Sequence, residues 1–354
     1  MAHERRRQNH RRIHCRLQQE QGQIMGDLSE SAETSAEFLL FAHYLRWKDM
    51  NTMNKNPELP AHFKPLFDYP LRDTSICLGH DGYYYMTGTT GFPDWWAVTG
   101  DIQIWKSADL QEWTPIITEP RKRTVVWNID RDGTWEKEIT LRDGAPFRPL
   151  WAPEIHYLKG TYWLTYCIPR LGSGLLRSVS GRAEGPYVDH ISMKSPISPY
   201  IDASLFQDDD GSVYYLCDNG KIARMTEDMT ALAEELRLLS PSNAEHVGFE
   251  GTFLFKTQGR YYLAGAEFVD GDYHCLVASS DHLYGPYGDR YLVIPHGGHN
   301  MFFRDRDGQW WSTFFGNNAN APFRERPGIL KVEFDDELRI RPKEENLIDS
   351  LQTK

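Results

Sequence analysis

A pattern of apolar runs around a glycine recurs five times along the chain. An aromatic-rich run follows each glycine, and most copies also have an apolar run before it: HDGYYYMTG, LKGTYWLTY, DDGSVYYLC, TQGRYYLAG and RDGQWWSTF. This pattern is typical of two strands joined by a tight turn. The spacings between successive glycines are 78, 51, 48 and 49 residues. Spacings of about 40–50 residues are those of propeller blades, so the sequence predicts an all-β fold, a five-bladed β-propeller.

The segment before the first repeat has a different pattern. Residues 31–50 place apolar side chains near helical spacing, so a short helical N-terminal extension is predicted over 31–62. Residues 1–30 are predicted to be a disordered basic extension, because residues 1–24 contain six arginines and two glutamates. No apolar segment follows these charges as in a secretory signal, so a cytoplasmic location is expected, with a start at Met25 left open. The propeller domain is predicted over 63–345.

The first spacing, 78 residues, is much longer than the other three. The excess coincides with the charged stretch Glu119–Arg148, which is interpreted as a long loop rather than a separate domain. Two readings stay open at this point. The stretch either forms a wall of a functional site or is a solvated insertion.

Charge and composition exclude several classes of partner. The 354 residues include 50 Asp and Glu against 39 Lys and Arg, which gives a formal charge of −11. Nucleic acids and anionic membranes are bound by basic surfaces, so neither is expected as a partner. No apolar run reaches the roughly 18 residues of a membrane span. The five cysteines are widely spread without a CxxC pair, which favours free thiols over disulfides or a zinc site.

Candidate chemistry emerges when the repeats are aligned on their glycines. Nine residues before the glycines stand Asp73, Trp151, Asp202, Glu250 and His299. The innermost strand of each propeller blade lines the central channel, so these side chains are expected to lie close together. An aspartate before a strand is often only a turn or cap residue. Three carboxylates in an aromatic-rich pocket, however, suit glycoside hydrolysis, in which one acid protonates the leaving oxygen and another activates water.

Several short segments resemble glycoside hydrolase family 43, in the order that the family has them. They are RDTSI, WAPEI, IDASLF, DDDGSVYYL, FEGTFLF and GGHNMFF, and the resemblance extends from about Asp68 to Ile340. It implies a glycosidase that cleaves O-glycosyl bonds with inversion. By position, Asp73 would be the general base, Asp202 the acid that tunes pKa and orientation, and Glu250 the general acid.

The resemblance also implies further site residues. His299 stands where the family has a channel histidine, so it is a candidate for substrate binding and for contact with a structural calcium ion through water, while catalysis would require no cofactor. Trp151 would lie on the channel wall beside the sugar. The family commonly has proline where this chain has Thr74, Ala203 and Thr252, which affects substrate placement more than reaction type.

The implied substrates are α-L-arabinofuranosides or β-D-xylosides in plant-type oligosaccharides or polysaccharides. Trp95 and Trp96, after the first hairpin, are candidates for substrate binding at one side of the channel, although packing between blades is slightly favoured for these rings. Other functions stay open. A related propeller hydrolase or phosphorylase would act on other sugars such as galactosides, and a non-catalytic carbohydrate-binding propeller or a protein scaffold would need none of the acids.

Overall fold

The propeller is seen in a computed structural model. It describes residues 65–66, 69–91, 95, 100–117, 125–138, 141–142, 145–146, 149–318, 321 and 323–343. The predicted extensions over 1–30 and 31–62, and Trp96, lie outside the described residues. In this described part, no helix has the length and apolar character needed to cross a membrane.

The described residues of the first blade and of the segment after it form eight short strands and one helical turn. They are β1 (Arg72–Leu78), β2 (Tyr84–Thr89), β3 (Asp101–Gln103), β4 (Trp105–Ser107), β5 (Thr114–Pro115), β6 (Val125–Asn128), α1 (Trp135–Glu138), β7 (Leu141–Arg142) and β8 (Ala145–Pro146). Strands β1, β2, β4 and β5 form the blade in that order, whereas β3 pairs with β6 and β7 pairs with β8.

The other four blades are each built from four consecutive strands. The second contains β9 (Trp151–Leu158), β10 (Thr161–Ile168), β11 (Gly172–Ser178) and β12 (Tyr187–Asp189), and the third β13 (Ser204–Gln207), β14 (Val213–Cys217), β15 (Lys221–Arg224) and β16 (Arg237–Leu238). The fourth contains β17 (Glu250–Thr257), β18 (Arg260–Val269), β19 (Asp272–Ser280) and β20 (Tyr291–Ile294), and the fifth β21 (Phe302–Arg304), β22 (Trp310–Phe314), β23 (Gly328–Phe334) and β24 (Ile340–Pro342). All blade pairs are antiparallel. The predicted five-bladed all-β propeller is therefore confirmed.

The aromatic-rich runs become the second strand of each blade. Strand β10 (TYWLTYCI) is buried at all eight positions, and β14 (VYYLC) at all five. Such strands are covered by neighbouring blades on both faces, which is why their sequences are mostly apolar or aromatic and do not alternate with charged residues. Between the fourth and fifth blades, for example, the rings of Phe255 and Phe302 stack with centroids 4.7 Å apart. Most of the aromatic surplus thus packs between blades.

Residues 125–138 of the long charged stretch are packed against the first two blades. Trp127, Ile129 and Trp135 are at most 5% exposed and join the hydrophobic cluster between the first two blades. The buried Glu136 accepts a hydrogen bond from the hydroxyl of Tyr166 on β10. The reading as a solvated insertion is therefore wrong for residues 125–138.

Non-covalent contacts join the first blade to the last. The segment before β1 lies along the fifth blade, where the Leu66 and Leu71 amides donate hydrogen bonds of 2.9 Å to the carbonyls of Pro327 and Glu325. The Arg72 guanidinium forms a two-pronged pair with the Glu325 carboxylate. This seam places the start of β1 beside the fifth blade.

Candidate active site

One backbone feature marks the same place in all five blades. A residue in the left-handed region stands near the start of each innermost strand: Asp73 (φ 52°), Ala152 (φ 43°), Asp202 (φ 55°), Gly251 (φ 63°) and His299 (φ 51°). In β1 and β17 the pairing register shifts at this point, as in a β-bulge. The repeated bend turns these positions toward one end of the propeller.

The five residues found by counting back from the glycines are not all equivalent. In the second and fourth blades a two-residue turn joins the first two strands, pairing Leu158 with Thr161 and Thr257 with Arg260. The other three turns are longer, since Leu78 pairs with Tyr84 in the first blade, for instance. Counting nine residues back therefore lands one residue early in the two short-turn blades. Trp151 and Glu250 thus precede the left-handed position instead of occupying it.

Asp73 and His299 form an ion pair between the first and fifth blades. His299 Nδ1 lies 3.1 Å from Asp73 Oδ1, and both side chains are at most 12% exposed. The Thr89 hydroxyl donates to Asp73 Oδ2 and itself accepts from the Ala152 amide at 2.7 Å. Burial would raise the pKa of Asp73, but the His299 charge and the two hydrogen bonds hold it below its usual value. Asp73 is therefore ionised at neutral pH.

Asp202 is more buried and less well compensated. It is 5% exposed, and its Oδ2 accepts a hydrogen bond from the Gly251 amide at 2.9 Å. Burial raises the pKa of Asp202 to about 6 and outweighs the lowering by the His299 charge and the Gly251 amide, while the Asp73 charge adds to the rise. Cys167 Sγ lies 3.9 Å from its other oxygen.

Glu250 holds its proton most tightly of the three acids. Burial, followed by the charge of Asp202, raises its pKa to about 8, although His299 and a hydrogen bond from Tyr273 act in the opposite direction. The Tyr273 hydroxyl lies 2.8 Å from Glu250 Oε1. Two carboxyl groups of one site therefore have pKa values displaced in opposite directions, which is the arrangement that separates an acid from a base.

His299 is held as a cation by the acids around it. Burial would lower its pKa, but the charges of Asp73, Asp202 and Glu250 raise it to about 10. The backbone of Gly251 packs against the imidazole, where a Cβ would stand 2.9 Å from His299 Cγ. Gly251 thus supports two members of the site, through its amide and through its lack of a side chain.

Two of the predicted aromatic residues meet beside this cluster. Trp151 Nε1 donates a hydrogen bond of 2.7 Å to the carbonyl of Trp95, and both residues are partly exposed. The Arg72 guanidinium lies 4.9 Å from the centre of the Trp95 ring and also donates to Asn317 Oδ1 at 2.6 Å. Trp151 is therefore joined to Trp95, and the Trp95 ring contacts the residue that precedes Asp73.

Sequence reasoning missed three residues of the site. Arg72 precedes Asp73 directly and was visible in the segment RDTSI, but nothing in the segment distinguished it from an ordinary surface arginine. Thr89 and Tyr273 lie on the second and third strands of their blades, so a count along the innermost strands does not reach them. Only pairing between strands brings them to the acids.

The side chains around His299 bear on the expected calcium ion. Calcium is held by six to eight oxygen ligands. The described residues include no cluster of three or more His, Cys, Asp or Glu side chains that could hold a metal ion. His299 offers ring nitrogens rather than oxygen ligands, and its Nδ1 lies 3.1 Å from Asp73 Oδ1. The site does not fit a calcium ion bound directly at His299, and contact through water stays a prediction.

Comparison with curated proteins finds relatives among xylosidases. The chain is 26% identical to "Xylosidase/arabinosidase 43B" of Humicola insolens, over 76% of this chain and 50% of that protein. It is 23% identical to a "Putative beta-xylosidase" of Escherichia coli strain K12, over 75% of this chain and 54% of that protein. The chain thus spans about half the length of these curated relatives.

Solved structures share the fold. An endo-arabinase from Bacteroides thetaiotaomicron aligns with a TM-score of 0.57 at 20% identity, over 77% of this chain and 98% of that one. At this identity the likeness shows the fold alone. The sequence model of glycosyl hydrolases family 43, in contrast, matches residues 63–338. Because that match covers well over half of the 354 residues, the chain belongs to glycosyl hydrolases family 43.

Proposed function

We propose that the propeller hydrolyses glycosidic bonds with inversion at the anomeric carbon. The observation that carries the proposal is the opposite displacement of two pKa values within one buried cluster. Asp73 is held below its usual pKa, whereas Glu250 is raised to about 8. Near neutral pH the site therefore contains one ionised base and one protonated acid, as inverting glycosidases require. A carbohydrate-binding propeller would have no need to bury and separate these groups.

The reaction follows from those protonation states. Glu250 transfers its proton to the glycosidic oxygen as the bond from that oxygen to the anomeric carbon breaks. A water molecule attacks the anomeric carbon from the opposite face and gives its proton to Asp73. Both Asp73 oxygens already accept hydrogen bonds, but a carboxylate oxygen has two lone pairs, so the water can still bind. Exchange of protons with solvent then restores Glu250 and Asp73.

Asp202 and His299 keep Glu250 protonated and Asp73 ionised. The negative charge of Asp202 keeps the proton on Glu250, because like charges resist joint ionisation. The positive charge of His299 keeps Asp73 ionised and fixes its position. Neither group needs to touch the substrate to have these effects.

The substrates we propose are α-L-arabinofuranosides or β-D-xylosides of plant-type oligosaccharides. The names of the matched xylosidases and endo-arabinase support this class, and the rings of Trp151 and Trp95 offer apolar faces on which a pentose can stack. Galactosides are the second candidate. A screen over aryl α-L-arabinofuranoside, β-D-xyloside and galactoside substrates separates the two, and dependence on added phosphate would reveal a phosphorylase instead.

The acid assignment is tested by changing the leaving group. Glu250→Ala should slow alkyl glycosides far more than aryl glycosides with good leaving groups, because only the former need protonation. Asp73→Asn should slow both, and Glu337→Ala, at an exposed turn, should slow neither. Equal losses for both leaving groups in Glu250→Ala would overturn the assignment. NMR of the first product tests the stereochemistry, since a product that initially retains the anomeric configuration contradicts inversion.

A further inference from the structure

A buried tyrosine contacts the proposed general acid from the third strand of the fourth blade. The hydroxyl of Tyr273 donates to Glu250 Oε1 across 2.8 Å, and the side chain of Tyr273 is fully buried. None of the reaction steps above uses this residue. It is the one described hydroxyl for which a hydrogen bond to Glu250 is observed.

The tyrosine ring is held on several sides. Its centroid lies 5.0 Å from that of Phe268 and 5.6 Å from that of Phe315. On a third side the ring passes so close to Gly298 that a Cβ there would stand 2.4 Å from a ring carbon. The backbone amide of Tyr273 also donates to Asn318 Oδ1 at 3.3 Å. The hydroxyl therefore has little freedom to leave Glu250.

The direction of this hydrogen bond determines where the acid keeps its proton. Burial, followed by the charges of Glu250 and Asp73, raises the pKa of the Tyr273 hydroxyl well above its usual value, so the hydroxyl stays protonated and acts as the donor. Glu250 Oε1 is consequently an acceptor. In the neutral carboxyl group the proton then stands on Oε2.

We propose that Tyr273 is a positioning residue, which fixes the Glu250 carboxyl so that Oε2 presents the transferable proton to the leaving oxygen. This inference rests on the proposed glycosidase function. The hydrogen bond from Tyr273 has a second effect, because a hydrogen bond donated to a carboxylate favours its ionised form. Tyr273 thus limits how far burial and Asp202 raise the pKa of Glu250.

Tyr273→Phe tests both effects, because it removes the hydroxyl and keeps the ring. We expect kcat/KM for alkyl glycosides to fall on the order of tenfold, with a smaller loss for aryl glycosides that need little protonation. The basic limb of the pH profile should move to higher pH, since the carboxylate loses a donor. Tyr262→Phe is the matched control: its buried hydroxyl donates to the Leu338 carbonyl at 2.8 Å, remote from the acids.

A purely structural role predicts a different result. In that case Tyr273→Phe would slow both classes of substrate equally and leave the basic limb unmoved, and this outcome overturns the inference. A double variant sharpens the test. If Tyr273 acts through Glu250, Tyr273→Phe should cause no further loss for aryl glycosides in the Glu250→Ala background. A full, additive loss there would also overturn it.

A second variant covers the case in which Tyr273→Phe does not fold. Gly298→Ala keeps the hydroxyl but pushes the ring, so it should shift the basic limb in the same upward direction, and an unshifted limb counts against the inference. The proposed function fails separately. It fails if wild-type protein hydrolyses none of the glycosides, or if Glu250→Ala retains full activity, whereas the inference fails when a Glu250-dependent enzyme is indifferent to Tyr273.

Discussion

The two ends of the five innermost hairpins have the same backbone conformation and opposite surroundings. At the turn end, glycine takes a left-handed position in every blade, and left-handed Lys159 and Gln258 precede it in the two short turns. The five glycines are Gly82, Gly160, Gly211, Gly259 and Gly308. Apart from adjacent residues of the chain, no heavy atom lies within 4 Å of where a Cβ would stand on any of them. At the site end, the left-handed residue is glycine in one blade only, and it is crowded.

The comparison distinguishes positions that need only a left-handed backbone from positions that also need a particular side chain. A left-handed non-glycine residue costs roughly 1–2 kcal/mol. Three of the five turns avoid that cost by using glycine alone, and the two short turns bear it at Lys159 and Gln258. Asp73, Asp202 and His299 bear it in the same ring of positions, where each side chain is needed by the proposed reaction. Apart from Ala152, the strained residues of the site end are therefore ones whose side chains the proposed reaction uses. Matched substitutions at the two ends can test this account.

The largest effect is expected when the one glycine of the site end is substituted. Gly251→Ala would place a Cβ 2.9 Å from His299 Cγ and disturb the amide that binds Asp202. We expect kcat/KM to fall by roughly 100-fold or more, because misplacement by about 1 Å can have that effect. Gly259→Ala, at the turn end of the same strand, should keep activity within about twofold of wild type. Similar losses in the two variants would contradict the comparison.

The next effect concerns the charge of Asp202. Asp202→Asn removes the negative charge that helps to raise the pKa of Glu250, so the basic limb of the profile should move below the pH of about 8 expected for wild type. At pH 8 the general acid would be largely ionised, and kcat/KM should fall between roughly 10- and 100-fold. The measurement is a pH–rate profile with an alkyl glycoside. A basic limb that stays in place would show that Asp202 does not tune Glu250.

A moderate effect on stability is expected from neutralising Glu250. Its pKa is raised from 4.5 in the unfolded chain to about 8 in the fold, so its contribution to stability is full below pH 4.5 and is lost as the pH rises toward 8. Glu250→Gln removes this dependence and keeps an acceptor for Tyr273. The variant should melt about 2–4 °C above wild type at pH 8 and show no gain at pH 4. A gain of equal size at both values would point to packing instead of charge.

The smallest effect belongs to the turn end. Gly211→Ala puts a Cβ into open space, so only the left-handed backbone opposes it, at about 1 kcal/mol. Thermal unfolding should shift down by about 2–4 °C, while kcat and KM stay unchanged. Gly211→Asn should cost less, because asparagine tolerates this conformation better. A loss of activity in either variant would show that the two ends are coupled.

Much of the fold and part of the site could be predicted from the sequence. The five hairpins follow from glycine turns and aromatic runs because strand pairing within a blade is local. The acids at Asp73, Asp202 and Glu250 were found by the same count, and the structure does bring them together. Counting nine residues back from the glycine reaches Trp151 and Glu250, one residue before the left-handed position, because the turns of these two blades are shorter than the others.

Residues that depend on distant pairing could not be predicted. Tyr273 reaches Glu250 because the β18–β19 hairpin extends past the pairing of Glu250 with Ala266 and continues to Val269 and Asp272. The sequence gives no fixed spacing for such an extension, since the other blades lack it. The pairing of Arg72 with Glu325 spans 253 positions along the chain and joins the first blade to the fifth. No local pattern indicates a contact of that range.

The seam between the first and fifth blades affects the order in which activity and folded structure would be lost during unfolding. Asp73 belongs to the blade where the ring begins and His299 to the blade where it ends, so the ion pair of the proposed base bridges the seam. No peptide bond joins these blades directly. Beside the ion pair of Asp73 and His299, the pair of Arg72 with Glu325 also connects them. If heat or denaturant first separates the two blades at this seam, catalysis would be lost before the blades themselves unfold. Activity would then report on closure of the ring, and far-ultraviolet dichroism on the integrity of the blades.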